Sequence, residues 1–330
     1  MSLKALFFAT FLFSLASATL AAHAETFNVY FKSAPRFELL RPFADPASFS
    51  VLVTGADGRG VEGGSVRLRL DAPAPSRVFS TDYPIVEGTR LLDLTLPLTR
   101  GRAEWKYLLP VRGEYRLYVD VEKQGAKIAS QSFDFSVREN QKKWVFLSGF
   151  LLLLFGAGLI AGRIFTGVSA PAALVVLALL GAASLAAHDK TPARSPASEA
   201  IAVTPATVGK MSSIRWRLPD AELGKILPIL LTLTITHLEK QKTVFAVDKI
   251  WVGPAFSMDF QFADGAEHRV RAIAEQLGRP AVQADQVVNV TGVEPPVSAM
   301  APAMVIFVLA MAAGLLAGRW SKRKAINRAV

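Results

Sequence analysis

A seven-residue segment that occurs twice constrains the fold of this chain more than any other feature. Ala157–Arg163 reads AGLIAGR, and Ala313–Arg319 reads AGLLAGR, at an offset of 156 residues. Each copy ends an apolar run long enough to cross a bilayer, and a segment of domain size with strand-like patterning precedes each run. The repeat therefore predicts two copies of one unit, a β-domain followed by a membrane helix.

The similarity between the two copies extends upstream at an offset of 153 residues. Glu114–Arg116 aligns with Glu267–Arg269, which places Tyr115 opposite His268, and Gly125 aligns with Gly278. The order and spacing of these matches predict that the two β-domains superpose, with Tyr115 and His268 at equivalent strand positions.

Both predicted membrane helices also carry glycines four residues apart. The pairs are Gly158 with Gly162 and Gly314 with Gly318. Such pairs let another helix approach closely, although glycine and alanine are common in membrane helices in any case. We expect Gly158 and Gly314 to face other helices rather than lipid.

The composition favours a membrane-associated envelope protein. The 330 residues include no cysteine, so disulfides and thiolate metal sites do not occur. The net charge of +10 comes from basic residues scattered through strands or gathered beside apolar runs. This pattern predicts a lipid bilayer and other membrane or periplasmic proteins as partners, and no nucleic acid.

Residues 1–24 have the pattern of a secretory signal peptide. Lys4 supplies the positive start, Ala5–Leu20 the apolar core, and Ala22-His23-Ala24 the small residues of a cleavage site. Cleavage after Ala24 fits best. Cleavage after Ala22 is the alternative, and it would leave His23 as an amino terminus able to offer its amine and ring to copper.

Two segments alternate apolar and polar residues with a period of two, which is typical of antiparallel strands. They predict immunoglobulin-like β-sandwiches at residues 25–140 and 201–294. The predicted fold class is therefore a mixed membrane protein, with two all-β immunoglobulin-like sandwiches outside the membrane and three transmembrane α-helices.

The three predicted spans are residues 144–165, 169–187 and 297–318, and residues 188–200 form a linker before the second sandwich. Residues 319–330 form a basic tail without acidic residues, which predicts a cytoplasmic C-terminus. Together with the signal peptide, this predicts a bacterial inner (cytoplasmic) membrane protein with its β-domains in the periplasm.

One basic cluster conflicts with the usual charge distribution around membrane spans. Arg138, Lys142 and Lys143 fall on the predicted outer side of the first span, whereas basic residues normally collect on the cytoplasmic side. The preceding domain is long, and long translocated domains largely escape that rule.

The sequence offers one constellation with possible chemistry. His237 lies at a strand end, Met258 lies within FSMDFQF, and His268 follows ADGAE. Two imidazoles and a thioether suit copper. The alternative, which we favour, is that Met258 is buried among Phe256, Phe260 and Phe262, that the histidines lie well apart, and that nearby carboxylates are solvated. These carboxylates are Glu239, Asp259, Asp264 and Glu267.

The segment His237–Ala272, with the motifs HLEK, VFAVDK and FQFADGAEHRV, resembles the small extracytoplasmic β-sandwich domains of the YtkA-like and FixH-like kind. That resemblance implies membrane proteins linked to copper handling or respiratory oxidase assembly. The overall order also resembles the copper monooxygenase subunit with two cupredoxin-like domains. However, this chain lacks that subunit's closely spaced histidine pair in the first domain and adds a third span.

The sequence contains none of the common hydrolase, phosphate-loop or dinucleotide motifs. The leading hypothesis is therefore a non-enzymatic scaffold or accessory subunit of an envelope complex, without a cofactor. The alternative is a periplasmic copper-binding or copper-delivery protein that uses His237 and His268.

Overall fold

The computed structural model describes residues 27–76, 79–164, 200–218 and 228–327. The predicted signal peptide (1–24) and second span (169–187) lie outside the described residues, as do almost all of the linker and the last three residues of the tail. The prediction of a β-rich chain with apolar helices is confirmed by two antiparallel sheets and two long helices.

The described residues form fourteen strands, seven before the first long helix and seven after it. Their alternating burial matches the period of two in the sequence, because successive side chains point to opposite faces of a sheet. The strands of the first half are β1 (Asn28–Ala34), β2 (Ala47–Thr54), β3 (Gly64–Asp71), β4 (Arg90–Pro97), β5 (Arg102–Tyr107), β6 (Gly113–Lys123) and β7 (Ala126–Val137). The strands of the second half are β8 (Ile201–Val203), β9 (Met211–Arg217), β10 (Ile229–His237), β11 (Lys242–Val252), β12 (Ala255–Gln261), β13 (Glu267–Glu275) and β14 (Val282–Asn289).

The order of the strands shows an internal two-fold relationship between the halves. One seven-stranded sheet has the order β1-β2-β5-β11-β10-β13-β14, and the other has the order β7-β6-β3-β4-β12-β9-β8. Each strand of the first half has a counterpart seven strands later, so that β1 corresponds to β8 and β7 to β14. When every strand is exchanged with its counterpart, the strand order of each sheet becomes that of the other. The duplication inferred from the sequence is therefore present in the topology, and equivalent strands of the two halves lie in opposite sheets.

The two predicted sandwiches are not separate bodies, and this corrects the expectation of two independent domains. Strand β4 pairs with β12, with Leu94 opposite Met258, and β5 pairs with β11, with Tyr107 opposite Phe245. Both sheets therefore run through both halves, and one hydrophobic core fills the space between them. Alternation along a strand defines its buried face but not its neighbour, so the sequence pattern could not reveal this pairing.

Aromatic side chains fill the core where the halves meet. Tyr107 and Phe245 each lie against Phe260 from the other sheet, with ring centroids 6.1 and 5.9 Å apart respectively. Leu92 pairs with Phe260, and Tyr107 pairs with Phe245. At the sequence offset of 153, Leu92 corresponds to Phe245 and Tyr107 corresponds to Phe260. The two pairs are therefore equivalent, and the junction follows the same two-fold relationship as the sheets.

Two long apolar helices follow the two halves. Helix α1 spans Gln141–Ile164, and helix α2 spans Val297–Asn327. Both are long and apolar enough to cross a membrane by length and composition. They run parallel, since the rings of Phe150 and Phe307 lie 5.3 Å apart and Arg163 near the end of α1 donates to Ser321 near the end of α2.

The helix–helix contact is made through the glycines singled out in the sequence. A Cβ atom at Gly158 or Gly162 would overlap a backbone carbonyl oxygen of α2, and one at Gly314 or Gly318 would overlap a carbonyl oxygen of α1. The two backbones therefore pack directly against each other, which only glycine allows.

Both helices leave the same end of the sandwich, which we call the helix-proximal end. Residues 138–140 join β7 to α1, and residues 290–296 join β14 to α2. The opposite end, which includes the turns after β6 and β13, is the helix-distal end. The candidate site lies at the helix-proximal end.

Candidate functional site

The two histidines identified in the sequence face each other at the helix-proximal ends of β10 and β13. His237 is the direct cross-strand partner of His268, and their ring centroids are 4.8 Å apart. They are 1% and 2% exposed. The expectation that they lie well apart is therefore wrong, because it depended on a strand register that the sequence does not determine.

Both ring nitrogens of His237 have hydrogen-bond partners. The backbone N–H of Lys240 donates to Nδ1 at 3.2 Å, in the turn after β10. Since Nδ1 accepts, the ring proton sits on Nε2 and donates to Oδ2 of Asp264 at 3.2 Å. This ring has no lone pair left for a metal ion unless one of the two bonds breaks.

His268 is held differently and keeps one nitrogen available. Its Nδ1 lies 3.0 Å from the carbonyl oxygen of Ala266 and donates to it, so Nε2 carries the lone pair. The pKa of His268 is lowered to about 4, chiefly by burial and in part by the neighbouring His237, while the hydrogen bond to Ala266 opposes the shift. The imidazole of His268 is therefore neutral near pH 7.

Asp264 links the histidine pair to a charged cluster at the surface. Its Oδ2 binds Nζ of Lys240 and lies 3.4 Å from the hydroxyl of Tyr83, which belongs to the other half. Burial favours the protonated acid, but the hydrogen bonds from Lys240 and His237 outweigh it and lower the pKa of Asp264. The expectation that this carboxylate is simply solvated is wrong.

Aromatic rings from the first half cover the ammonium group of Lys240. Its Nζ lies 4.9 Å from the ring centroid of Phe43 and 5.9 Å from that of Tyr83, and these two rings stack at 4.7 Å. Burial raises the pKa of Tyr83, and the charge of Asp264 raises it further. The cluster therefore joins the two halves through charge and cation–π contacts.

A buried amide lies beside the histidines. Gln261 is 1% exposed, and its side-chain oxygen lies 2.9 Å from the hydroxyl of Thr89. That hydroxyl lies only 2.6 Å from the carbonyl oxygen of Val86 and gives its single proton there. We therefore assign the amide of Gln261 in the flipped orientation, so that its NH₂ group donates to Thr89 and its oxygen is left without a donor.

A small cavity borders this amide and the two imidazoles. The centre of a water molecule has about 10 Å³ available to it there, and His237, Gln261, Asp264 and His268 contribute to the wall. This volume corresponds to roughly one water molecule.

Met258, the third proposed copper ligand, does not belong to this site. It is 2% exposed and pairs with Leu94 on one side and Ile214 on the other, on the same inward face as Phe256 and Phe260. It is a core residue of the junction and does not line the cavity beside the histidines. Within the described part of the chain, no group of three or more histidine and carboxylate side chains is arranged to hold a metal ion.

Four residues of this site were missed or misjudged from the sequence: Tyr83, Lys240, Gln261 and Asp264. Tyr83 and Lys240 are separated by more than 150 positions, and no local pattern connects them. The only available signal was the ADG turn, which places Asp264 directly before the strand that carries His268.

Comparisons with known proteins identify no family. No protein-family model and no curated protein matches the chain. Among solved structures, a two-domain fibronectin type III segment from chicken tenascin shares 10% identity over 74% of this chain and 93% of its own, with a TM-score of 0.19. A conjugative transposon lipoprotein from Bacteroides eggerthii shares 13% identity over 27% of this chain and 94% of its own, with a TM-score of 0.21.

The alpha-2-macroglobulin of E. coli shares 12% identity with a TM-score of 0.25, over 81% of this chain but only 14% of its own. This chain therefore spans a small part of that protein. Likenesses at this level identify no function for the chain.

Proposed function

We propose that this protein is a non-enzymatic scaffold or accessory subunit of a bacterial envelope complex. It is anchored in the inner (cytoplasmic) membrane, with its double sheet in the periplasm. The observation that carries the proposal is the pair of parallel, glycine-packed apolar helices that leave one end of a continuous two-sheet sandwich. Such an arrangement holds a rigid body at a fixed orientation above a bilayer.

The path of the chain supports a third span between the two described helices. Helix α1 has 24 residues and a length of about 36 Å, and it ends at Ile164, far from the sandwich. The chain is back at the sandwich by Ala200, where the carbonyl oxygen accepts from the N–H of Arg217. The sequence predicts an apolar run at 169–187 between these two points, and we propose that this run is the third span.

The helix-distal end offers a surface for a protein partner. Leu230 pairs with Trp251 on one side and with Glu275 on the other, so Trp251 and the following β13–β14 turn lie at this end. Trp251 is 44% exposed, and Leu277 in that turn is 93% exposed. Exposed large apolar residues of this kind are common in protein–protein contacts.

The topology is tested with reporters that are active only in the periplasm. A fusion after Ala200 should be active, and a fusion after Val330 should be silent, while a cytoplasm-active reporter should give the opposite result. An active periplasmic reporter after Val330 would contradict the three-span arrangement.

The scaffold role is tested with a photoreactive amino acid at Leu277 in the full-length protein in cells. We expect one discrete adduct that disappears when Trp251 is changed to glutamate, and none from the same probe at Arg59, an exposed distal residue of the first half. Equal adducts from both positions, or insensitivity to Trp251→Glu, would contradict a specific partner surface.

The facing histidines are the one observation that favours copper binding as a second candidate function. A copper site would need His237 to release Asp264 or Lys240, and it would place the metal beside the ammonium group of Lys240. A structural role therefore accounts better for the geometry. Metal analysis of the purified full-length protein and its His268→Asn variant decides between the two: copper retained at one equivalent by the parent and lost by the variant would establish the copper function.

A further inference from the structure

One loop of the first half reaches the beginning of helix α1. Residues 79–85, here called the interface loop, precede β4 and contact the first turn of the helix. The ring of Phe79 packs edge-on against that of Trp144, with centroids 6.3 Å apart and an interplanar angle of 86°. Trp144 is the fourth residue of α1 and is 44% exposed. Phe79 therefore lies at the level where the apolar part of the helix begins.

An arginine and a lysine fix the interface loop at that level. The guanidinium of Arg112 lies 5.5 Å from the ring centroid of Trp144, donates to the carbonyl oxygen of Phe79 at 2.8 Å, and donates to Glu139 at 2.8 Å. Lys143 in the first turn of α1 forms an ion pair with Asp82 of the loop. These contacts attach the loop to the start of α1 at Phe79 and at Asp82.

The same contacts show which basic residues of the conflicting cluster face outward. Lys143 is neutralised by Asp82 and by Glu139, which also pairs with Arg112. Arg138 and Lys142 are both exposed and flank this group. Two exposed positive charges therefore lie two and six positions before Trp144 in the sequence, at the level of the first turn of an apolar helix.

We propose that this region is a lipid-contacting surface, in which Phe79 and Trp144 lie in the bilayer interface and Arg138 and Lys142 contact the phosphates of anionic phospholipids. The inference rests on the proposed function, because it takes α1 as a membrane span. Aromatic rings concentrate at the boundary between the hydrocarbon and the headgroups, and basic side chains beside a span attract anionic lipids.

The occupant is a bilayer rather than a protein because of the position of Trp144. The apolar part of α1 begins at this residue, so any side chain that touches its ring lies within the thickness of the headgroup region. The role also explains why Arg138 and Lys142 remain on the outer side despite the usual distribution of basic residues.

The absence of cysteine from the sequence allows single cysteines to be labelled cleanly. An environment-sensitive fluorophore is attached in turn to Ser80→Cys beside Phe79, Leu152→Cys on α1 and Leu277→Cys at the distal turn. Leu152 is 71% exposed along the helix, and Leu277 is 93% exposed. Each full-length variant is reconstituted into vesicles of phosphatidylcholine brominated either near the headgroup or deep in the acyl chains.

We expect the label at Ser80 to be quenched at least twofold more by the shallow bromines than by the deep ones, and the label at Leu277 by neither. The label at Leu152 should be quenched by the deep bromines. Quenching at Leu152 without quenching at Ser80 would overturn the lipid-contacting surface and leave the membrane anchor intact. No quenching at either position would overturn both proposals.

The charge component is tested by replacing part of the brominated phosphatidylcholine with brominated phosphatidylglycerol. Quenching at Ser80 should increase, and the increase should disappear in Arg138→Gln/Lys142→Gln. The matched control is Arg59→Gln/Lys123→Gln, which removes the same charge from the helix-distal end and should keep the increase. An equal loss in both double variants, or no increase in the parent, would overturn the anionic-lipid contact.

Discussion

Tyr115 and His268 occupy equivalent positions in the two halves, and each binds backbone just upstream of its own side chain. The hydroxyl of Tyr115 donates to the carbonyl oxygen of Val111 at 2.6 Å and accepts from the N–H of the same residue at 3.0 Å. Nδ1 of His268 donates to the carbonyl oxygen of Ala266 at 3.0 Å. The pairing of Tyr115 with Phe135 and of His268 with Val288 preserves the offset of 153 across the neighbouring strands.

The tyrosine interaction resembles the tyrosine corner of immunoglobulin-like sandwiches, where a buried tyrosine hydroxyl binds backbone a few residues upstream. The Tyr115→Phe variant leaves both backbone groups of Val111 buried without their partner. We expect a loss of about 1–3 kcal/mol in the free energy of unfolding, measured by denaturant titration of the full-length protein in detergent. Tyr30→Phe at a half-exposed position should change it little, and equal effects in the two variants would contradict the assignment.

His268 stands at the position that Tyr115 occupies in the first half, and unlike tyrosine, histidine ordinarily titrates near neutral pH. We therefore predict that the free energy of unfolding depends on pH. The pKa of His268 is about 4 in the folded protein, against an ordinary value of 6.5. Between these values the unfolded chain binds a proton that the folded protein does not, so the free energy of unfolding falls as the pH drops from about 6.5 to about 4. The full loss is on the order of 3 kcal/mol, and it levels off at lower pH.

A variant isolates this contribution from the neighbouring charged groups. His268→Asn keeps an N–H donor near the carbonyl of Ala266 but cannot titrate. Asp264 has a lowered pKa and Lys240 a raised one, so both stay charged throughout the window. Thermal unfolding of parent and variant between pH 7 and pH 4 should show a steeper decline for the parent, and parallel profiles would contradict the prediction.

Much of the fold follows from the sequence, because its signals are local. Alternation identifies the strands, apolar length identifies the helices, and the repeat at 157–163 and 313–319 identifies the duplication. The pairing between the two halves cannot be predicted in this way, because the sequences of β4 and β5 do not show whether these strands form the edge of a sandwich or pair with the other half. Only the aromatic residues Tyr107, Phe245 and Phe260 at that junction are unusually large, and large residues occur equally in ordinary cores.

The arrangement of the candidate site is even harder to predict from the sequence than the pairing of the halves. The sequence selects His237 and His268 by residue type but separates them, since it gives no register between β10 and β13. It includes Met258 because of its sulfur, although the strand turns that side chain into the core between Leu94 and Ile214. Residue type indicates possible chemistry, and only strand register decides which side chains meet.

The close packing of α1 and α2 predicts a strong dependence on individual glycines. In Gly158→Leu the new side chain would overlap the backbone of Met311, whereas Gly156 on the same helix has nothing within contact distance of a Cβ. We expect Gly158→Leu to separate the helices and Gly156→Leu to leave them in place. A disulfide between cysteines introduced at Phe150 and Phe307 reports on this in membranes, and it should form in the control but not in the Gly158→Leu background.

The two sheets that run through both halves predict a single cooperative unfolding unit. Phe49 is a buried residue of β2 in the first half and is 2% exposed, and its truncation to alanine should cost about 3–5 kcal/mol. Because one core joins the halves, this loss should also appear in β9 (Met211–Arg217) of the second half. Hydrogen exchange of the full-length protein, followed by mass spectrometry, should therefore show faster exchange in β9 by the same factor as in β2. Leu277→Ala at the exposed distal turn should alter neither strand, and protection lost from β2 alone would show that the halves unfold independently.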